Sequence, residues 1–106
     1  MADTMPTFNQ VMRFLRYQCP PDHPVQVRRL SGLKEMYGDC DLKKSGKKQF
    51  FKIRINKDYD EDVTIDTLMH EWAHTVAWHK CTKEDHCNEW GKAYSKIYRM
   101  FLKEFF

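Results

Sequence analysis

Residues 63–79 read VTIDTLMHEWAHTVAWH, and this stretch sets the fold around it. Apolar side chains recur in it every three or four residues, which is the spacing of an amphipathic helix. The preceding residues 58–62 are acidic and turn-forming, and carboxylates are stabilising near the positive end of a helix dipole. We therefore expect a helix over about 63–79 that begins after this acidic stretch.

The two faces of this helix carry different chemistry. Residues four apart stack on the same face, so His70 and His74 point to one place. The opposite side carries an apolar set that forms a core face without the histidines: Ile65, Leu68, Met69, Trp72 and Val76. The histidines are therefore predicted to serve a purpose other than packing.

The run His70-Glu71-Trp72-Ala73-His74 matches the H-E-x-x-H motif. Two imidazoles at this spacing suit a tetrahedral zinc ion. Glu71 is turned from His70 by roughly 100° about the helix axis, so it can reach a water beside the metal rather than the metal itself. The motif predicts one Zn²⁺ ion held by His70 and His74, with Glu71 as the general base.

A catalytic zinc also needs a third protein ligand and an open position for water. The helical pattern breaks at residues 81–85, and His86 follows twelve residues after His74. A turning chain can bring His86 back to the metal, so we predict it as the third ligand. His23 lies in a Pro-rich turn and His79 falls on the opposite helix face, which makes both poor candidates.

Two alternatives stay open at this site. Glu89 could supply the third ligand as a carboxylate, and a thiolate at Cys87 could add a fourth that leaves no place for water. The four cysteines contain no C-x-x-C pair, and the N-terminus has no secretory signal. A separate zinc ribbon and a disulfide framework are therefore not expected, and free, partly buried thiols are.

Helical spacing also appears at both ends of the chain. Residues 7–17 place Phe8, Val11, Met12 and Leu15 on one face, which predicts a first amphipathic helix. A last helix is predicted from about Cys87, with one apolar or aromatic face formed by Trp90, Ala93, Tyr94, Ile97, Phe101 and Phe105.

Between the first and central helices the period changes to two. Strands are predicted from Val25, over about 34–42 with Gly38 as a candidate bulge, and over 49–56. Residues 43–48 read as a hairpin tip. The sequence thus predicts a single α+β domain over residues 1–106, with a small antiparallel sheet of about three strands.

Composition supports a globular protein. Of 106 residues, 42% are hydrophobic and 31% charged, which allows one modest core. No segment is apolar over the length of a bilayer, so a cytoplasmic protein without a membrane partner is expected. A monomer is the default oligomeric state.

Basic residues give the chain a formal net charge of +3, which permits contact with nucleic acid without demanding it. With Arg28 and Arg29, the lysines of the hairpin tip could form a phosphate-contacting patch: Lys43, Lys44, Lys47 and Lys48. The last helix adds further basic residues on its outer face.

Two motifs together resemble the SprT-like (Spartan-type) zinc metallopeptidases. The first is the run from Leu68 to His74. The second, from His86 to Trp90, is similar to the family's H-G-x-x-[FW], with Cys87 in place of the glycine. The resemblance covers roughly residues 5–105.

This resemblance implies a zincin-like minimal fold, zinc held by His70, His74 and His86, and Glu71 as the catalytic base. The compact form is similar to small SprT-like proteins of bacteria and phages, which implies the cytoplasm of a bacterium or an infected host. Eukaryotic relatives degrade proteins crosslinked to DNA with the help of added modules. No such module is recognised here, so the resemblance implies a protein or peptide substrate, with DNA-associated proteins as one candidate.

An extended substrate could pair with an edge of the strand over 49–56. The predicted substrate-binding residues are therefore Phe51, Ile53 and Ile55, together with Tyr94 on the inner face of the last helix. The competing interpretation is a zinc-stabilised module that binds nucleic acid or protein without catalysis. A closed structural site gains nothing from a base such as Glu71, which favours catalysis.

Overall fold

The computed structural model describes residues 5–84 and 86–106. Its elements run in the order helix, three strands, helix, one turn of 3-10 helix and a last helix. In chain order these are α1 Phe8–Gln18, β1 Val25–Leu30, β2 Gly38–Ser45, β3 Lys48–Asn56, α2 Glu61–Ala77, the 3-10 turn Trp78–Lys80 and α3 Asn88–Phe105. The predicted α+β class and element order are confirmed.

Helix α2 lies at the centre of the packing, in contact with α1, α3, β2 and β3. Leu68 and Trp72 on its core face are fully buried, and the Trp72 indole Nε1 donates a hydrogen bond of 2.8 Å to the Cys19 carbonyl just after α1. Val76 was expected on this face but is 39% exposed. In that turn Thr75 and Ala77 are buried instead, so the buried surface of α2 extends around the helix.

All three strands lie in one sheet, in the order β1-β3-β2. Strands β2 and β3 form the expected antiparallel hairpin, but β1 pairs with β3 in parallel, so the predicted all-antiparallel sheet is wrong. The reason lies in residues 31–37, the crossover loop. Leu30 lies opposite Asn56 and Gly38 lies opposite Ile55, so this loop passes over the C-terminal end of β3 instead of making a hairpin turn.

Strand β2 begins at Gly38, later than the predicted start at about residue 34. Residues 34–37 belong to the crossover loop, where Glu35 adopts a left-handed backbone conformation with φ of 56°. Gly38 opens β2 without a bulge. A Cβ there would lie 2.5 Å from the Arg54 carbonyl oxygen, so the close approach of β2 to β3 requires glycine at this position.

The hairpin between β2 and β3 is tighter than expected. Both strands extend into the predicted tip, as far as Ser45 and Lys48, and leave a two-residue turn. Gly46 opens this turn with φ of 63°, a conformation that glycine adopts without steric cost.

One face of the sheet carries the core. Phe51, Ile53 and Ile55 of β3 are fully buried beneath the helices. At β1 the guanidinium of Arg29 lies 4.3 Å from the ring centre of Phe8 on α1.

No helix within the described residues has the length and apolarity needed to cross a membrane.

The crossover loop is held down by one buried side chain. Asn56 is 5% exposed, and its Nδ2 donates hydrogen bonds of 3.0 and 2.9 Å to the carbonyl oxygens of Leu33 and Met36. The backbone N–H of Asn56 also donates to the Tyr37 carbonyl at 2.9 Å. The last residue of the central strand thus fixes the loop that passes over it.

Replacing Asn56 by Asp is expected to lower the free energy of unfolding by about 1–3 kcal/mol, because a carboxylate would face two carbonyl oxygens and donate to neither. Urea denaturation measures this change. The matched control is Asn88→Asp, an exposed position in the first turn of α3, where a carboxylate meets the positive helix end and should cost nothing. Equal stability of the two variants would contradict this role of Asn56.

Candidate metal centre

Three histidines converge beside the exposed stripe of α2. His70 and His74 lie one helical turn apart with ring centres 5.4 Å from each other. His86 arrives from the segment before α3, and its ring centre lies 5.2 Å from that of His70 and 4.9 Å from that of His74. One nitrogen from each ring lies within 4.8 Å of the others, and the described residues contain no other cluster of this kind.

The spacing of these nitrogens fits a small tetrahedral ion. The Nε2 atoms of His70 and His86 are 3.3 Å apart. Two nitrogens bound to zinc at 2.0–2.1 Å with a tetrahedral angle would be separated by about 3.3 Å. The donor set therefore suits zinc or a similar first-row metal ion.

Electrostatics at His70 also favour ligation. Burial first, and the neighbouring His86 second, lower the pKa of His70, while Asp66 acts in the opposite direction. A lowered pKa keeps the imidazole neutral, which is the form that binds a metal.

Glu71 lies on the same helix, directed into a cleft beside the histidines. It is only 8% exposed, and it makes no hydrogen bond or ion pair within residues 5–84 and 86–106. Burial first, and the charge of Asp39 second, raise the pKa of Glu71 to about 7. A largely buried carboxyl with a raised pKa, lining a cleft beside a histidine cluster, points to a role with a ligand.

An aromatic side chain holds the three rings in place. The ring centre of Trp90 on α3 lies 4.8 Å from that of His70, 5.4 Å from His74 and 4.5 Å from His86. Its indole Nε1 also donates a hydrogen bond of 3.2 Å to the His70 carbonyl. Trp90 was predicted as a motif match and as part of the aromatic face of the last helix, and the structure shows that it packs against the whole cluster.

The pair of Asp66 and Tyr94 was missed by the sequence reasoning. The Tyr94 hydroxyl donates a hydrogen bond of 2.7 Å to the Asp66 carboxylate, and the Tyr94 ring stacks on Trp90 at 5.4 Å. Burial, followed by this hydrogen bond, raises the pKa of Tyr94, so the phenol stays protonated and donates. Asp66 lies four residues before His70, and this spacing could have indicated its place on the same face.

The cleft has a volume of about 850 Å³ and runs between α2 and the start of β2. One wall is the stripe of α2 from Asp62 to His74, and the other is formed by residues 35–40. Cys40 lines the second wall, where burial first and Glu71 second raise the pKa of its thiol. A thiol that stays protonated is a poor nucleophile, so the chemistry of the cleft rests on the histidines and Glu71.

The strand predicted to bind substrate, β3, has no free edge with which a peptide could pair. Strand β3 is central and paired on both edges, and its residues Phe51, Ile53 and Ile55 are fully buried. An alternating pattern shows which face is buried but does not show whether the strand has a free edge. Tyr94 lies near His70, yet its hydroxyl is bound to Asp66 and its side chain does not line the cleft.

The expected basic patch is divided. The lysines of the hairpin are exposed, but Arg28 lies opposite Arg54, six residues along β3 from Lys48. At 3.3 Å per residue this separates the two groups by about 20 Å, so they do not form one surface. The lysines concerned are Lys43, Lys44, Lys47 and Lys48, of which Lys43 forms an ion pair with Asp41 at 3.1 Å.

The cysteines differ from the expectation of free thiols. Cys81 and Cys87 form a disulfide with their Cα atoms 5.6 Å apart, while Cys19 and Cys40 are free. The two cysteines therefore lie close together, which their spacing alone did not reveal. The sulfur of Cys87 is therefore engaged and does not complete the histidine cluster as a fourth ligand.

Glu89, the alternative third ligand, also lies outside the cluster. Its carboxylate accepts from the Lys92 ammonium at 3.4 Å, on the outer side of α3.

Comparison with protein families relates the chain to known proteins. The model of a family described as the SprT-like family matches residues 5–104. A comparison with curated proteins finds no match.

A divalent ion such as Co²⁺ or Zn²⁺ is expected to bind one site per chain, and His86→Ala is expected to weaken that binding by more than about tenfold, because it removes one of three nitrogen ligands. Competition with a chromophoric chelator measures the affinity.

Two matched controls test the alternatives. His79→Ala removes an exposed histidine outside the cluster, and Glu89→Gln removes the carboxylate once considered as a ligand. Both should bind the ion as the wild type does. A loss of affinity in Glu89→Gln but not in His86→Ala would reverse the ligand assignment.

Proposed function

The chain belongs to the SprT-like family and thus carries a metallopeptidase-like domain. We propose that it is a zinc-dependent peptidase that hydrolyses peptide bonds, with Glu71 as the general base. One observation carries this proposal. The largely buried carboxyl of Glu71 lines a cleft beside three histidines whose nitrogens are spaced for a tetrahedral ion. Neither feature is needed for packing, and together they match the requirements of metal-assisted hydrolysis.

His70, His74 and His86 would hold the ion, with one position left for solvent. Zinc bound by three imidazoles supplies Lewis acidity and brings the pKa of a bound water close to neutrality. Trp90 contributes by packing against all three rings and fixing their orientation.

Glu71 takes the proton that the attacking water gives up, and then delivers it to the nitrogen of the leaving amine. The carboxyl is suited to this shuttle because no hydrogen bond or ion pair within the described residues competes for its oxygens. Its position on α2, one residue after His70, places it at the wall of the cleft instead of among the ligands.

The substrate would lie in the cleft against β2. Within the described residues β2 pairs only with β3, so its other edge has backbone groups available to an extended peptide. Gly38, Asp39 and Cys40 of this strand line the cleft opposite Glu71. Strand β2 thus takes the role first expected of β3.

The alternative of a purely structural zinc site is less well supported. Structural sites are usually closed by four protein ligands. Within residues 5–84 and 86–106 three donors converge, and the adjacent Cys87 is held in a disulfide. A site with an open position beside a buried carboxyl is suited to catalysis.

Glu71→Gln is expected to lower the rate of peptide hydrolysis at least about 100-fold, because the amide has the same shape but cannot accept the proton. Hydrolysis of a fluorescently labelled, denatured protein by the zinc-loaded chain measures the rate. Metal affinity should be retained, since Glu71 is not a ligand in this proposal.

Glu104→Gln is the matched control, because Glu104 is an exposed carboxylate on α3 away from the cleft. It should leave hydrolysis unchanged. Full activity in Glu71→Gln with zinc still bound would show that another group acts as the base.

A further inference from the structure

The cleft carries one sign of charge. Its lining includes five acidic side chains and no lysine or arginine, although the whole chain has a net charge of +3. The five are Glu35, Asp39, Asp62, Asp66 and Glu71. A groove lined by one sign of charge attracts ligands of the opposite sign.

Two of these carboxylates have other tasks. Asp39 is held by the guanidinium of Arg54, whose Nε donates to it at 2.9 Å, and this hydrogen bond lowers the pKa of Asp39. Glu71 is assigned to the reaction. Glu35, Asp62 and Asp66 remain. None of them forms an ion pair within the described part of the chain, although Asp66 also accepts the hydrogen bond from the Tyr94 hydroxyl.

The helix places two of the three at regular distances from the metal site. Asp66 and Asp62 lie four and eight residues before His70, which is one and two turns along α2. At 1.5 Å per residue they are about 6 and 12 Å from His70 along the helix axis. An extended peptide advances about 3.3 Å per residue, so these carboxylates lie roughly two to four residues from the reacting bond.

Glu35 lies on the opposite wall in a backbone conformation that is unfavourable for a residue with a side chain. Its φ of 56° is a left-handed conformation that favours glycine and costs free energy in other residues. The turn is fixed by the hydrogen bond from the Met36 N–H to the Leu33 carbonyl and by the two bonds from Asn56. The chain thus holds a charged residue at the cleft where a glycine would fit with less strain.

An aromatic surface adjoins the same wall. Tyr37 lines the cleft, is 57% exposed and stacks on Tyr59 with ring centres 4.6 Å apart. The face of such a ring attracts an ammonium or guanidinium group. The carboxylates can pair with the charged group of a lysine or arginine, and the exposed tyrosine ring can pack against its side chain.

A second, independent observation marks this cleft as a ligand site. It is also lined by the three histidines whose ring nitrogens lie within 4.8 Å of one another. The acidic lining therefore belongs to a cleft that is built to receive a reactant.

We propose that this cleft selects peptide substrates that carry a lysine or arginine about two to four residues from the scissile bond, on the side nearer the N-terminus of α2. Glu35, Asp62 and Asp66 provide the charge selection, and Tyr37 provides a surface for the aliphatic stem. The inference rests on the proposed peptidase function and names its substrate class.

The test compares pairs of peptides that differ at one position, with arginine in one and its uncharged isostere citrulline in the other. Mass spectrometry of digests of a denatured protein first locates the preferred position. The wild type is expected to show a kcat/KM about tenfold higher for the arginine peptide, the combined effect of two or three exposed ion pairs. High salt should reduce this ratio, because such pairs are screened.

Variants separate charge selection from a structural role. The ratio of kcat/KM for the arginine peptide to kcat/KM for the citrulline peptide is expected to fall towards one in the double variant Glu35→Gln/Asp62→Asn. Glu104→Gln should leave this ratio unchanged. Glu35→Gly is expected to raise the melting temperature by relieving the left-handed strain, and also to lower the ratio. A rise in melting temperature with an unaltered ratio would assign Glu35 a role in the loop only, and overturn its part in selection.

A binding measurement keeps this inference separate from the peptidase proposal. The zinc-loaded Glu71→Gln variant is titrated with both peptides. If the wild type cleaves the two equally, the charge selection is wrong and the peptidase proposal stands. If neither is cleaved, the peptidase proposal fails, while tighter binding of the arginine peptide would still support a charge-selective cleft and equal binding would overturn it.

Discussion

The structure depends on burying helix α2 on most of its circumference while one stripe of that helix stays open. Burial of Leu68, Met69 and Trp72 supplies the apolar contact that fixes the helix against α1 and the sheet. Removing each such side chain from water is worth about 1.5–3 kcal/mol. This packing sets the rotation of α2 about its axis, and the rotation decides that the histidines and Glu71 face the cleft.

The remaining parts of the site are brought to this fixed helix from elsewhere. His86 comes from the short segment closed by the disulfide of Cys81 and Cys87, and Trp90 of α3 packs against all three rings. The opposite wall of the cleft comes from the crossover loop, which Asn56 holds at the end of β3. The candidate metal ligands and the opposite wall of the cleft thus come from different segments around one common helix.

Much of the candidate site was predictable, because helical spacing alone places His70, Glu71 and His74, and a break in the pattern leaves room for His86. The sheet was predicted only in part. A period of two tells which side chains share a face, but nothing in Val25 or Val27 specifies a parallel partner. Parallel pairing of β1 requires a loop that passes over β3, and the buried amide of Asn56 holds this loop. The position of Glu35 on the acidic wall depends on its left-handed turn. Both are tertiary features that local patterns do not carry.

The crossover topology gives the two walls of the cleft different stabilities. Only Val25 of β1 is buried, and β1 is an edge strand, so this strand and the crossover loop have far fewer apolar contacts than α2. Segments of this kind open in local unfolding at lower free energy than a buried helix. We therefore expect the amide hydrogens of the crossover loop to exchange faster than those of α2. Openings of this kind would widen the cleft at its rim while the histidine helix stays folded.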